Sequence, residues 1–299
     1  MGRYMERAEN LARILDVNES FARDSREEEN WLPILRLHAE EEAFLAEHKE
    51  ATANEVVHFY TLDRSSPNSI RNSLDRSRDN ARSMRHLLST EVWRQLNVFH
   101  EWFCALTRRD IRLGNLSAIC LRVKEGCQLH TGIFDGTMIR DQVWYFYGLG
   151  KALERANQTS RLIDIKSHLL DPPGGDQMGV DVAQWNALLR SAAGYHAFRR
   201  IHPSGMTARQ VVDFFLTDRS FPRSTAFSLH EVDALLWGLQ RNGGLNRVRD
   251  IRQAINPILE QVSLPASRGG FERRLHAHID RLQISLDDLA ERIATTFFR

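Results

Sequence analysis

"GRYMERAENLARILDV" (Gly2–Val17) and "GKALERANQTSRLIDI" (Gly150–Ile165) decide the fold, because both have helical periodicity and the second repeats the first. Glu6, Arg7, Ala8, Arg13 and Asp16 align with Glu154, Arg155, Ala156, Arg161 and Asp164. Further along, Trp31, Leu35, Arg36, Ala43 and Phe44 align in order with Trp185, Leu189, Arg190, Ala197 and Phe198. A third block, "VVHFYTLDRSSPNS" (56–69), aligns with "VVDFFLTDRSFPRS" (211–224). Amphipathic helices resemble one another by chance, but chance does not keep a Trp, an Asp-Arg-Ser and a Pro in sequence order. The pattern predicts a duplicated helical module, with repeat one over about 1–135 and repeat two over about 136–299.

Apolar residues recur at helical spacing along the whole chain, and strand-like alternation is nearly absent. The expected fold is therefore all-α: a single multi-helix bundle over 1–299 whose related halves pack about a pseudo-two-fold axis. The main breaks are "DPPGGDQMG" (171–179), "HPSG" (202–205), "NGG" (242–244) and "LPASRGG" (264–270). At 299 residues and 42% hydrophobic, the chain can bury a large core. Its 40 Lys and Arg against 39 Asp and Glu argue against nucleic-acid binding by bulk electrostatics. Cys104, Cys120 and Cys127 are too few and too irregular for a disulfide framework or a zinc-ligand spacing, so they read as reduced thiols. No apolar leader is visible and no run is long enough to span a membrane, which points to a cytoplasmic protein. The second Glu-Arg helix has a run-in, "GTMIRDQVWYFYGL", that the first lacks. The first helix is thus expected to miss its upstream part and to expose an apolar patch.

On the first helix Ala8, Leu11 and Leu15 form one face and Glu6, Asn10 and Arg13 the opposite one; Glu154, Gln158 and Arg161 repeat that polar stripe. A solvated face, supported by pairs such as Glu9 with Arg13, accommodates these residues, as does a buried pairing or a contact with a ligand. The recurrence of the same trio favours burial. Arg7 and Arg155 lie on the flank, where a guanidinium can bridge helices. The two Asp-Arg-Ser segments place Asp63, Arg64, Asp218 and Arg219 at helix junctions, with Pro67 and Pro222 in the first turn after a capping Ser. Arg71, Arg78, Arg82 and Arg85 fall on one stripe, which suits either a solvated face or an acidic partner.

Other patterns are fragments. Glu55-x-x-His58 is half of a di-metal signature, but the aligned residues are Gln210 and Asp213, so no metal is expected there. "GLGK" (148–151) lacks the rest of a phosphate loop, and close helix packing explains its glycines. His276 and His278 have no evident partners in sequence. No nucleophile elbow and no local Cys-His pattern is present, and no cofactor is expected.

The ordered motifs "GRYMERAENLARILDV", "SPNSI…RDNAR", "MIRDQVWYFYGLGKALERA", "YHAFRR" and "FPRS" resemble the Alpha-E family of bacterial all-helical proteins, named for their Glu-Arg motif. The resemblance covers essentially the whole chain; one departure is His196, where members often carry an acidic residue. It adds Arg140 and Asp141 of the run-in to the candidate residues. It also implies association with circularly permuted ATP-grasp and transglutaminase-like proteins. The function then expected is that of a non-catalytic helical partner or scaffold for an ATP-grasp peptide-ligase-like enzyme, in peptide synthesis or modification. Two alternatives stand beside it: an enzyme using the duplicated Glu, Arg and Asp residues as its site, and a structural homo-oligomer.

Overall fold

Gly2–Ser25 forms one uninterrupted helix, α1, because no Pro or β-branched run interrupts it and Ala8, Leu11, Ala12 and Leu15 supply a continuous core stripe. The computed structural model describes residues 1–25, 31–169, 177–243, 247–263 and 271–298. The loop at 264–270, most of that at 171–179 and the last Gly of 242–244 lie outside the described residues. After α1 come α2 (Leu32–Leu37), α3 (Glu41–Glu47), α4 (Ala53–Thr61), α5 (Ile70–Ser83), α6 (Thr90–Cys104), α7 (Leu113–Thr137) and α8 (Gln142–Leu169). They are followed by α9 (Gln177–Ser191), α10 (Tyr195–Ile201), α11 (Ala208–Thr217), α12 (Thr225–Gly243), α13 (Val248–Gln253), α14 (Ile255–Gln261) and α15 (Phe271–Phe298). No strand occurs among the described residues, so the fold is all-α.

The chain divides into two compact units, Met1–Tyr147 and Gly148–Arg299, and the division falls inside α8. In the first unit α1 packs chiefly on α7 and α5, and α6 packs on α7 and α5. Phe103, Phe134 and Leu15 are among its fully buried side chains. Met5 and Ala8 are buried too, and Gly2 packs against the Tyr147 carbonyl, so the start of α1 is covered instead of presenting the expected apolar patch. Polar cross-links also join α1 to α7: Lys124 Nζ to Asp16 Oδ2 at 2.6 Å, and Gln128 Nε2 to Glu9 Oε1 at 3.2 Å. In the second unit α12 packs on α11, α13 and α14, and α15 on α13 and α14. Gly148 lets Leu235 come close, since a Cβ there would lie 3.0 Å from the leucine methyls.

Helices α2 and α9 end alike. Ala39 (φ 54°) and Ala193 (φ 55°) both adopt the left-handed conformation that glycine tolerates best. The amides of Glu40 and Gly194 then bond back to the Leu35 and Leu189 carbonyls at 2.9 and 2.7 Å. An L residue in this region costs about 1–2 kcal/mol. Ala39→Gly and Ala193→Gly are each expected to raise stability by up to about 1 kcal/mol, part of the gain being offset by the freer unfolded chain. Urea denaturation checks this, and a loss on both substitutions would contradict it.

Candidate functional site

The Glu-Arg helices keep their carboxylates indoors. Glu6 is 3% exposed and Glu154 5%, and Asn10 and Gln158 beside them are also buried. Gln158 Nε2 donates to Glu154 Oε1 at 3.0 Å. The polar stripe is therefore not a solvated face. Its arginines are engaged locally: Arg13 makes a two-pronged contact with Glu9 (2.7 and 3.1 Å), and Arg161 Nε donates to Asn157 Oδ1 at 2.6 Å. Arg7 lies over the Tyr4 ring at 5.7 Å, with Arg76 of α5 over the same ring at 6.0 Å. Arg155 Nη1 reaches the Pro222 carbonyl at 3.4 Å.

The Asp-Arg-Ser segments are cap junctions, with one correction. The helix caps are Ser69 and Ser224, not the serines before the prolines. Ser69 Oγ accepts from the Asn72 amide and donates to the Asp63 carbonyl; Ser224 does the same with the Phe227 amide and the Asp218 carbonyl. Pro67 and Pro222 stand in the turn ahead of the cap. The extended backbone of Ser69 (ψ 152°) turns its hydroxyl onto the free amides of the first turn, and Ser66 is instead drawn to Glu40 at 3.1 Å. Asp63 and Asp218 accept the amides of Ser65 and Ser220 at 2.8 and 2.7 Å, closing the turns. Asp141 plays a similar part before α8, accepting the Val143 amide at 3.0 Å, while Arg140 stacks on Trp144 at 4.2 Å. Arg219 borders an open depression of about 460 Å³ with Phe227, His230 and Glu231.

The arginine stripe of α5 is mostly spent on packing. Arg71 reaches the Cys104 carbonyl and Arg78 Nε donates to Asn97 Oδ1 at 2.8 Å, whereas Arg85 falls off the stripe because α5 ends at Ser83; in the following turn it bonds the Leu88 carbonyl and lies over Trp93. Arg82 remains exposed. The stripe leads instead to a cluster that sequence reasoning missed. Arg64 and Arg71 both hold Asp75 Oδ2, at 3.2 and 3.3 Å. The other oxygen of Asp75 accepts His100 Nε2 at 2.7 Å, and Cys104 Sγ lies 3.3 Å from that nitrogen and 4.0 Å from Asp75 Oδ1. His100-x-x-x-Cys104 was the available signal, since four-residue spacing puts both on one helix face, but only the fold brings Asp75 opposite them. Burial pushes the Asp75 carboxyl up, yet the His100 bond and the Arg71 and Arg64 charges outweigh it and hold it below the usual range. Burial pushes the Cys104 thiol up, against the lowering charge of Arg71.

Elsewhere, His276 does have partners: Nδ1 meets Asp164 at 2.7 Å and Nε2 meets Asp280 at 3.4 Å, and Asp164 raises its pKa. His278 is largely buried. Glu55 faces His48 and Arg108, whereas His58 bonds the Ile111 carbonyl, so the Glu-x-x-His pair does not converge. An apolar groove of about 650 Å³ that sequence did not foretell runs along α6 and α7. Val98, Phe99 and Trp102 line one side and Gly126, Leu129 and Ile133 the other. Val98 is 60% exposed and Leu129 57%. Arg122 lies flat over Trp102 at 4.1 Å.

A family profile matches residues 1–298 of this helical chain, which carries two Glu-Arg helices: an alpha-helical domain with a conserved ER motif. The chain belongs to the Alpha-E family. Similar relatives are uncharacterized proteins of Mycobacterium bovis and of two Mycobacterium tuberculosis strains, each 24% identical over 324 residues. The alignment takes in 99% of this Alpha-E chain but only 36% of each relative, so the chain spans about a third of their length. No solved structure matches it. Among the described residues of this Alpha-E protein, no helix is long and apolar enough to cross a membrane.

Proposed function

We propose that this Alpha-E chain is a non-catalytic helical partner of a cytoplasmic ATP-grasp peptide-ligase-like enzyme, acting in peptide synthesis or modification, with a transglutaminase-like protein as a further associate. Its two halves are read as copies of one ancestral helical module. The observation that carries the docking role is the open groove on α6 and α7, whose apolar floor is exposed while charged residues, Glu91 and Arg94 on one rim and Arg122 and Glu125 on the other, border it. An apolar floor between charged rims is the pattern that takes an amphipathic helix from a partner. In the longer mycobacterial relatives the stretch that matches this chain is joined to further sequence, which supports a role beside another module. The buried positions of Glu6 and Glu154 weigh against a catalytic use of the Glu-Arg motif.

The test is co-expression with an ATP-grasp protein encoded next to the gene, followed by affinity capture. The intact pair is expected to co-purify. The double variant Val98→Asp/Leu129→Asp should cut capture by about tenfold or more, since charges in a desolvated contact centre cost well over 1.4 kcal/mol. Circular dichroism checks that the variant stays folded. Failure of the unmodified pair to associate would sink the proposal, and self-association through the groove would favour the homo-oligomer instead.

A further inference from the structure

We propose that Asp75, His100 and Cys104 form a binding site for a zinc-class divalent cation, a function independent of partner docking. The three donor atoms come from adjacent helices: Nε2 and Sγ from successive turns of α6, and Oδ1 from α5. Their separations are 2.7 Å for Oδ1 to Nε2, 3.3 Å for Nε2 to Sγ and 4.0 Å for Oδ1 to Sγ. Tetrahedral zinc, with bonds of about 2.0–2.3 Å, sets neighbouring donors roughly 3.3–3.6 Å apart. The pair distances lie near that spacing, but Sγ is also 3.6 Å from Nδ1 and so sits beside the ring; a rotation of the Cys104 or His100 side chain that brings the sulfur in front of Nε2 completes the site.

The surroundings are those of a supported metal ligand. Arg64 and Arg71 both engage Oδ2 of Asp75, which fixes the carboxylate, while Oδ1 faces the ring and the thiol. Arg71 also reaches the Cys104 carbonyl at 3.4 Å, tying the end of α6 to the same anchor. On binding, the cation takes the place of the proton between Nε2 and Oδ1. The metal-bound ring carries its one proton on Nδ1, and the thiol releases its own to solvent. Thiolate and imidazole together select zinc or cobalt over magnesium and calcium, which prefer all-oxygen shells. Thiolate and carboxylate cancel the charge of the dication, and the two guanidinium groups leave a surplus of positive charge. The fourth coordination position therefore favours water, hydroxide or a small anionic ligand. Access exists, because the His100 and Asp75 side chains are 15% and 22% exposed.

Titration of the purified full chain with Co²⁺ tests the site. One equivalent is expected to give tetrahedral ligand-field absorption and a near-ultraviolet thiolate-to-cobalt band, and Zn²⁺ should displace it. Cys104→Ser should abolish the thiolate band, and Asp75→Asn should weaken binding by about tenfold or more. The Cys120→Ser/Cys127→Ser double variant should leave the band intact, because those thiols are buried away from the cluster. If Cys104→Ser does not fold, loss of the one-equivalent spectrum in His100→Gln serves instead. Absence of a thiolate band in the folded chain, or its survival in Cys104→Ser, overturns the proposal.

Discussion

Acidification is expected to weaken the first unit by about 1.4 kcal/mol per pH unit through one side chain, His130. The imidazole is fully buried, with its ring near Phe134 and Tyr147. Its Nδ1–H donates to Gln95 Oε1 at 2.8 Å, and Nε2 meets no hydrogen-bond partner among the described residues. Burial lowers its pKa from 6.5 to about 3, because a charged ring there would have no water around it. Below pH 6.5 the unfolded chain takes up this proton and the native chain refuses it. The unfolded state then binds more protons, so stability falls as pH falls, and the loss levels off only below about 3. By roughly pH 3.5 the accumulated cost is about 4 kcal/mol, a large share of a typical domain's stability. His130→Gln cannot take up the proton and can still donate to Gln95. Urea midpoints of both proteins at several pH values should show the variant losing much less stability on acidification. Parallel pH profiles would remove His130 as the cause.

Glu6→Ala and Glu154→Ala should unfold the protein sooner rather than leave it folded and inactive, each costing about 3 kcal/mol. Truncating Glu154 removes the acceptor for Gln158 Nε2, and Gln158 is only 7% exposed. An orphaned buried donor costs about 1–3 kcal/mol, and the cavity left by the side chain adds to it. Glu6 lies as deep, in α1 between α5 and α7. For a chain this size the loss is a fall in Tm of roughly 6–12 °C, readable in a thermal melt. Arg82→Ala, on an exposed position, should move the transition by about 0.5 kcal/mol or less. If the two Glu variants melted like the parent protein, the motif would have to be a site rather than a framework.

The all-α class and the Glu-Arg helices were legible because 3.6-residue periodicity survives in a one-dimensional string. The fate of Glu6 and Asn10 was less so. Periodicity put them opposite Ala8, Leu11 and Leu15, but a helix packed on more than one side buries both faces, and a stripe of residues does not say how many neighbours a helix will have. The cap falls at Ser69, past the serine that precedes the proline, since three serines and a proline crowd the same turn and only the backbone angles choose among them. The Asp75–His100–Cys104 cluster depends on which helices become neighbours, and the α6–α7 groove depends on those helices staying uncovered among the described residues. Neither fact is written in local spacing.

Gly126 gives that groove an adjustable depth. A Cβ at this position would fall 2.6 Å from the Phe99 ring, and the Phe99 ring forms part of the groove lining. The floor is therefore low because one methyl group is missing. A single substitution there would push the ring outward and turn a trough that accepts bulky side chains into a shelf fit only for small ones. On the proposed docking role, the choice of partner would drift by one-codon steps at a residue that contributes no side chain to the contact.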